Sequence, residues 1–180
     1  IQFWAIDGDC RAYLYREFFK THTRVEHVAK WAHELIETGV EPAPQEVLAD
    51  HDPECVATFE EYSGQSVRPA DKLRKDDGIQ TAQAMFDVRG DGRPRVYFTP
   101  APRCHVEDSE LTDVGRPAGT LEELIGYVWD TRDPERPKDE PIAKNDHGMD
   151  CLRYLARHLA ADTAPPGSVT APVPVPELEW

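Results

Sequence analysis

Two acidic strings set the first chemical question. Asp50-His51-Asp52 follows a short apolar run, and Asn145-Asp146-His147-Gly148-Met149-Asp150 opens a segment of helical periodicity. Asp146 and Asp150 are four residues apart and so share one face of a helix. Carboxylate oxygens of this kind suit Mg²⁺ or Mn²⁺, hard cations that accept carboxylates and waters. Two such ions about 4 Å apart can clamp the attacking water and the leaving oxygen of a phosphodiester, provided carboxylates converge on them from different elements. Each string also has a plainer use. Asp50 or Asp52, ahead of Pro53, can cap a helix, and Asp146 in a first turn is favoured by the helix dipole. By residue type alone, the two strings define a candidate metal site and nothing more.

Other polar groups near these strings are less specific. His51 and His147 could orient a water or a leaving oxygen, but histidines beside acids commonly serve as hydrogen-bond partners. The other five histidines show no ligand spacing such as H-E-x-x-H. Glu17, in the string YREFF, is a candidate for the same cleft, with a surface ion pair to Arg16 or Lys20 as the ordinary expectation. Arg68, Lys72, Arg74 and Lys75 form the densest basic patch, able to contact a phosphate backbone or simply to be solvated.

Positioning these groups is the work of an alternating set of elements. Residues 1–6 and 12–19 read as two strands around the turn Asp7-Gly8-Asp9-Cys10, a strong hairpin signal. A strand that opens the chain without any lead-in points to a sequence lacking its own beginning. Thr23 with Glu26 forms a capping box before a helix that buries Val25, Val28, Ala29, Ala32, Leu35 and Ile36, and Gly39 stops it. A strand over 45–49 ends at the first acidic string. Pro53 then opens a helix closed by Gly64. A brief strand over 66–68, a helix over 76–88, a turn at Gly90-Asp91-Gly92 and a strand over 95–99 follow. Beyond them come a short helix near 109–114, a second capping box at Thr120 and Glu123, and a short strand over 127–129. Residues 130–140 read as a mobile loop rich in proline and charge. Asn145 should cap a last helix running from Asp146 to about Ala161, and a proline-rich tail covers 163–180. This order implies an α/β protein with a sheet of mixed direction.

Bulk properties bound the function. The chain has 180 residues, long enough for one domain, here 1–162, with a real core. Its mean hydropathy is −0.61. No apolar run approaches the roughly 18 residues of a membrane span. Cys10, Cys55, Cys104 and Cys151 show no close-spaced pair of the kind zinc sites use, so four separate reduced thiols are expected. The net charge of −14 opposes DNA binding by bulk electrostatics. Carboxylates that hold divalent cations can nevertheless be locally acidic, because the ions invert the local charge.

Five ordered strings carry a family resemblance. FWAIDGDCRAYLYREF, VLADHDPE, GIQTAQAMF with GRPRVYF, GYVWD and NDHGMDCLRYL together resemble the nuclease region of phage terminase large subunits, from the first residue to about residue 160. The resemblance implies an RNase H-like fold, a mixed sheet flanked by helices, whose acidic positions bind two Mg²⁺ or Mn²⁺ ions and cut concatemeric DNA during packaging. It implies that Asp50, or Asp52 two residues on, is one metal ligand and catalytic acid. Asp146 is another, with Asp150 as helper. The implied partners are double-stranded DNA, an ATPase motor in the same parent chain, the small terminase and the portal. The implied location is the host cytoplasm, transiently at the procapsid portal, without a membrane.

Departures from that pattern matter. The family's first acid lies on a strand just before the segment matched by FWAID, and that strand is absent here. So is a G-x-x-x-x-G-K-[ST] phosphate loop. Asp7 is a poor substitute for the missing acid because it sits in the hairpin turn, and Cys10 occupies a turn position where glycine would be easier. Alternative expectations are a resolvase or integrase relative of the same fold, and a non-catalytic acidic module that docks the portal or the small terminase.

Overall fold

The computed structural model describes residues 1–50, 52–71, 75–99, 105–129, 141–142 and 144–162. Within them the chain is mixed α/β, with six helices and six strands. The predicted loop 130–140 and the proline-rich tail lie outside the described residues, as does Cys104. Cys10, Cys55 and Cys151 are free thiols.

β1 (Gln2–Ile6) and β2 (Ala12–Phe18) form the expected antiparallel hairpin. Its turn is organised by Asp7, whose carboxylate accepts the backbone N–H groups of Asp9 and Arg11 and the Tyr13 hydroxyl. Cys10 takes a left-handed backbone with φ of 58°, the conformation glycine adopts most cheaply. On the far side of β2, two short strands pair with it in parallel, one after the other. They are β5 (Val96–Phe98) and β6 (His105–Val106).

The hairpin register shifts between Phe3 and Trp4. Phe3 faces Arg16 and Trp4 faces Leu14, so Tyr15 is the extra residue of a bulge. Its consequence is a change of face. Ala12 and Leu14 are buried, the alternation then slips, and Glu17 rather than Arg16 is the next buried side chain.

β3 (Val47–Ala49) and β4 (Val67–Pro69) form a separate two-stranded parallel sheet. Their crossover is α2 (Pro53–Ser63), since parallel neighbours need a connection of this sort. Asp52 caps α2, accepting the N–H groups of Glu54 and Cys55 at 3.0 and 3.1 Å. Gly64 ends it with φ of 69°. α1 (Val25–Glu37) packs on α2 and buries Ala29 and Ala32. Its Trp31 meets Phe3 and Phe18 edge-on or tilted, at centroid distances of 5.6 and 5.0 Å, and so covers one face of the hairpin.

The opposite face is covered by α3 (Lys75–Phe86) and α6 (His147–Asp162). Ala12 and Val96 of the sheet, Ala82 and Met85 of α3, and Met149, Leu152, Leu155 and Ala156 of α6 form the core, with Trp4, Ile6 and Phe98 packed against it. α4 (Ser109–Asp113) and α5 (Thr120–Gly126) complete the set, and α5 lies against α6. Among the described residues no helix is long and apolar enough to cross a membrane.

Several local expectations fail for identifiable reasons. The Thr23–Glu26 capping box does not form, because the Thr23 hydroxyl donates to the Thr21 carbonyl and Glu26 pairs with Lys30. The expected strand at 127–129 is reduced to one bridge between Trp129 and Pro141. Replacing Asp52 by alanine should cost about 1 kcal/mol of stability, the usual penalty for losing an N-cap, whereas asparagine should be nearly neutral. Urea unfolding of both variants checks this.

Candidate functional site

The two acidic strings end on different supports. Asp50 is exposed and follows β3. Asp52 is committed to the N-terminus of α2, the plainer of its two expected uses. Asp146 stands immediately before α6, and its carbonyl accepts the Asp150 N–H at 2.9 Å, so both carboxylates belong to one helical turn. Their surroundings differ. Asp150 pairs with Arg153 at 2.5 Å, while no described residue hydrogen-bonds or pairs with the Asp146 carboxylate. Burial pushes the Tyr127 phenol up to about 12, and the neighbouring carboxylates of Asp150 and Asp146 add to that shift. His147 is exposed at the first position of α6.

Arg153 is itself nearly buried. Its stem crosses α3 at Gly78, where a Cβ would lie 2.7 Å from the arginine Cγ. The missing side chain of Gly78 thus lets α3 and α6 approach around Arg153. In the basic patch, Arg68 pairs with Glu46 at 2.7 Å, so part of its charge is already compensated. Lys72, Arg74 and the Lys75 side chain lie outside the described residues.

The start of α6 is held in a way the sequence does not announce. Asn145 was expected to cap it. Instead Asn145 adopts φ of 53°, and its Oδ1 accepts from Arg116. The acceptor at the helix start comes from α5: Glu123 Oε2 takes the Gly148 N–H at 2.6 Å. Glu123 therefore does not close a capping box on its own helix. Thr120, its expected partner, directs its backbone N–H and its hydroxyl to Glu17. Gln2 of β1 donates through Nε2 to the Thr120 hydroxyl at 2.6 Å and to the Gly148 carbonyl at 3.0 Å, while Trp4 donates to Gln2 Oε1.

Glu17, Thr120 and Glu123 are all at most 2% exposed. The expectation of a surface ion pair for Glu17 is thus overturned. The bulge at Tyr15 turns it inward, and Arg16 instead pairs with the buried Glu41 at 2.5 Å. Gly148 fits because it has no side chain: a Cβ there would fall 2.2 Å from Thr120 Oγ1 and 2.9 Å from Glu123 Oε2.

Carboxylates are the right chemical kind for Mg²⁺ or Mn²⁺. In number they fall short. Among the described residues no group of three or more His, Cys, Asp or Glu is placed to hold a metal ion. Asp50, Asp146 and Asp150 therefore do not close a three-carboxylate site by themselves. Comparison with protein families, with curated proteins and with solved structures found no match to this chain.

The electrostatics of this region make one prediction about pH. Burial raises the Glu123 carboxyl above its ordinary value of 4.5; the N–H groups of Gly148 and Met149 and the nearby His147 oppose the rise, and Glu17 adds to it. A carboxyl raised in the folded state binds its proton more tightly there than in the unfolded chain. Its contribution to stability is therefore complete below about 4.5 and is lost as pH climbs through the raised folded value. Thermal melts across that range should show this decline in the parent and a flatter profile in Glu123→Gln.

Proposed function

We propose that this chain is the nuclease portion of a phage terminase large subunit, an RNase H-like metal-dependent endonuclease that cuts concatemeric DNA. The observation that carries the reading is the string NDHGMDCLRYL lying across the first turns of α6, with Asp146 at the helix start and Asp150 one turn further on.

Among the described residues no three His, Cys, Asp or Glu side chains converge as a metal site, so the reading calls for a further acid beside Asp50 and Asp146. In this reading Asp50 and Asp146 are metal ligands, Asp150 fixes the local geometry through Arg153, and the cations are Mg²⁺ or Mn²⁺. The substrate is double-stranded DNA, supplied by an ATPase motor, and the net charge of −14 assigns most of the grip on DNA to other parts of the assembly.

Two measurements test the reading. Mn²⁺ titration should show binding that weakens about tenfold or more in Asp146→Asn and in Asp50→Asn, since each removes a direct ligand. Unchanged affinity in both variants would reduce these acids to caps and surface charges. Residues 1–180 alone should nick plasmid DNA weakly or not at all in Mn²⁺, and robust metal-dependent cleavage would refute the need for a further carboxylate.

A further inference from the structure

The peptide groups around Gly148 are gripped from two directions. Glu123, on α5, accepts the Gly148 N–H, and Gln2, on β1, donates to the Gly148 carbonyl. Behind them, Thr120 links Gln2 to Glu17 through its hydroxyl. Two elements, α5 and β1, therefore bond the start of α6 directly, β2 braces α5 through Glu17, and Gly148 brings α6 so close to α5 that a methyl group would collide. Ordinary helix starts are capped by a residue of the same segment. A buried pair of carboxylates is a costly substitute, because desolvation penalises each charge. What such a network can supply in return is a single geometry.

We propose that Glu123 is a positioning residue: through Gly148 it sets the orientation of the turn that carries Asp146 and Asp150, with Thr120, Glu17 and Gln2 holding that arrangement from behind. Gly148 lies two residues after Asp146 and two before Asp150, so a rotation of its peptide groups moves both carboxylates. The consequence for a bound cation rests on the nuclease reading; the linkage between Glu123 and the helix start does not. Glu123 touches neither substrate nor ion, and acts only through the backbone.

The test compares Glu123→Ala, Glu123→Gln and Gln2→Ala in the full chain, with Asp146→Asn as a control. Mn²⁺ affinity is measured by titration, and exchange of the Gly148 and Met149 amides is measured in the absence of metal. Glu123→Ala should weaken Mn²⁺ binding about tenfold, as losses of residues that orient ligands do, and should speed amide exchange at Gly148. Glu123→Gln retains a carbonyl oxygen for the Gly148 N–H and should restore most of both properties, a rescue that general destabilisation does not predict. A folded Glu123→Ala with parental affinity and parental exchange overturns the proposal, and so does a glutamine variant as defective as the alanine one. If the alanine variant does not fold, Gln2→Ala decides: faster Gly148 exchange supports the proposal and unchanged exchange overturns it. If Asp146→Asn leaves Mn²⁺ binding untouched, the nuclease reading fails, and the exchange data still judge the linkage.

Discussion

The fold depends on getting two carboxylates, Glu17 and Glu123, out of water without leaving either unsatisfied. Buried charge is expensive, and only close partners make it tolerable. Each acid here has them. Glu17 receives the Thr120 backbone and hydroxyl, and Glu123 receives the first turn of α6. These bonds tie β2 to α5 and α5 to α6, while Gln2 ties both helices to β1. The apolar core of Ala12, Val96, Met149 and Leu152 supplies the bulk of the burial. It does not dictate how α6 is rotated or where it begins, because apolar contacts are non-directional. The hydrogen bonds to Gly148 fix where α6 begins.

How much of this could be read from the sequence depended on whether the signal was local. The hairpin announced itself through the Asp-Gly turn between two aromatic strands. α2 was bounded by Pro53 and Gly64, and α1 by its buried stripe and Gly39. The bulge at Tyr15 left no trace in residue types, and without it strict alternation places Glu17 on the same face as Tyr13 and Tyr15. The two capping boxes were misleading for a related reason. Thr23, Glu26, Thr120 and Glu123 have the right spacing, but each side chain found a better partner elsewhere. Thr23 and Glu26 were claimed by Thr21 and Lys30 close by, whereas Thr120 and Glu123 were claimed by Glu17 and Gly148, groups too far along the chain for a window of four residues to show.

The acidic strings show the same limit. Sequence located them but could not apportion their carboxylates among rival tasks. Asp52 went to a helix cap and Asp150 to Arg153, both uses decided by neighbours a few residues away. The proposed chemistry calls on Asp50, which follows β3, and on Asp146, at the start of α6. Among the described residues no three such side chains are placed to hold a metal ion. An acidic surface without bound cations repels DNA, so in this account divalent ions both carry out the chemistry and reverse the local charge.

The most direct test of that account is whether one cation visits both acids. Substoichiometric Mn²⁺ added to isotope-labelled protein broadens the NMR signals of nuclei near the ion. The account predicts that the amides around Asp50 and those from Asp146 to Gly148 broaden together at the same Mn²⁺ concentration. Broadening at one stretch without the other, or at neither, would contradict it.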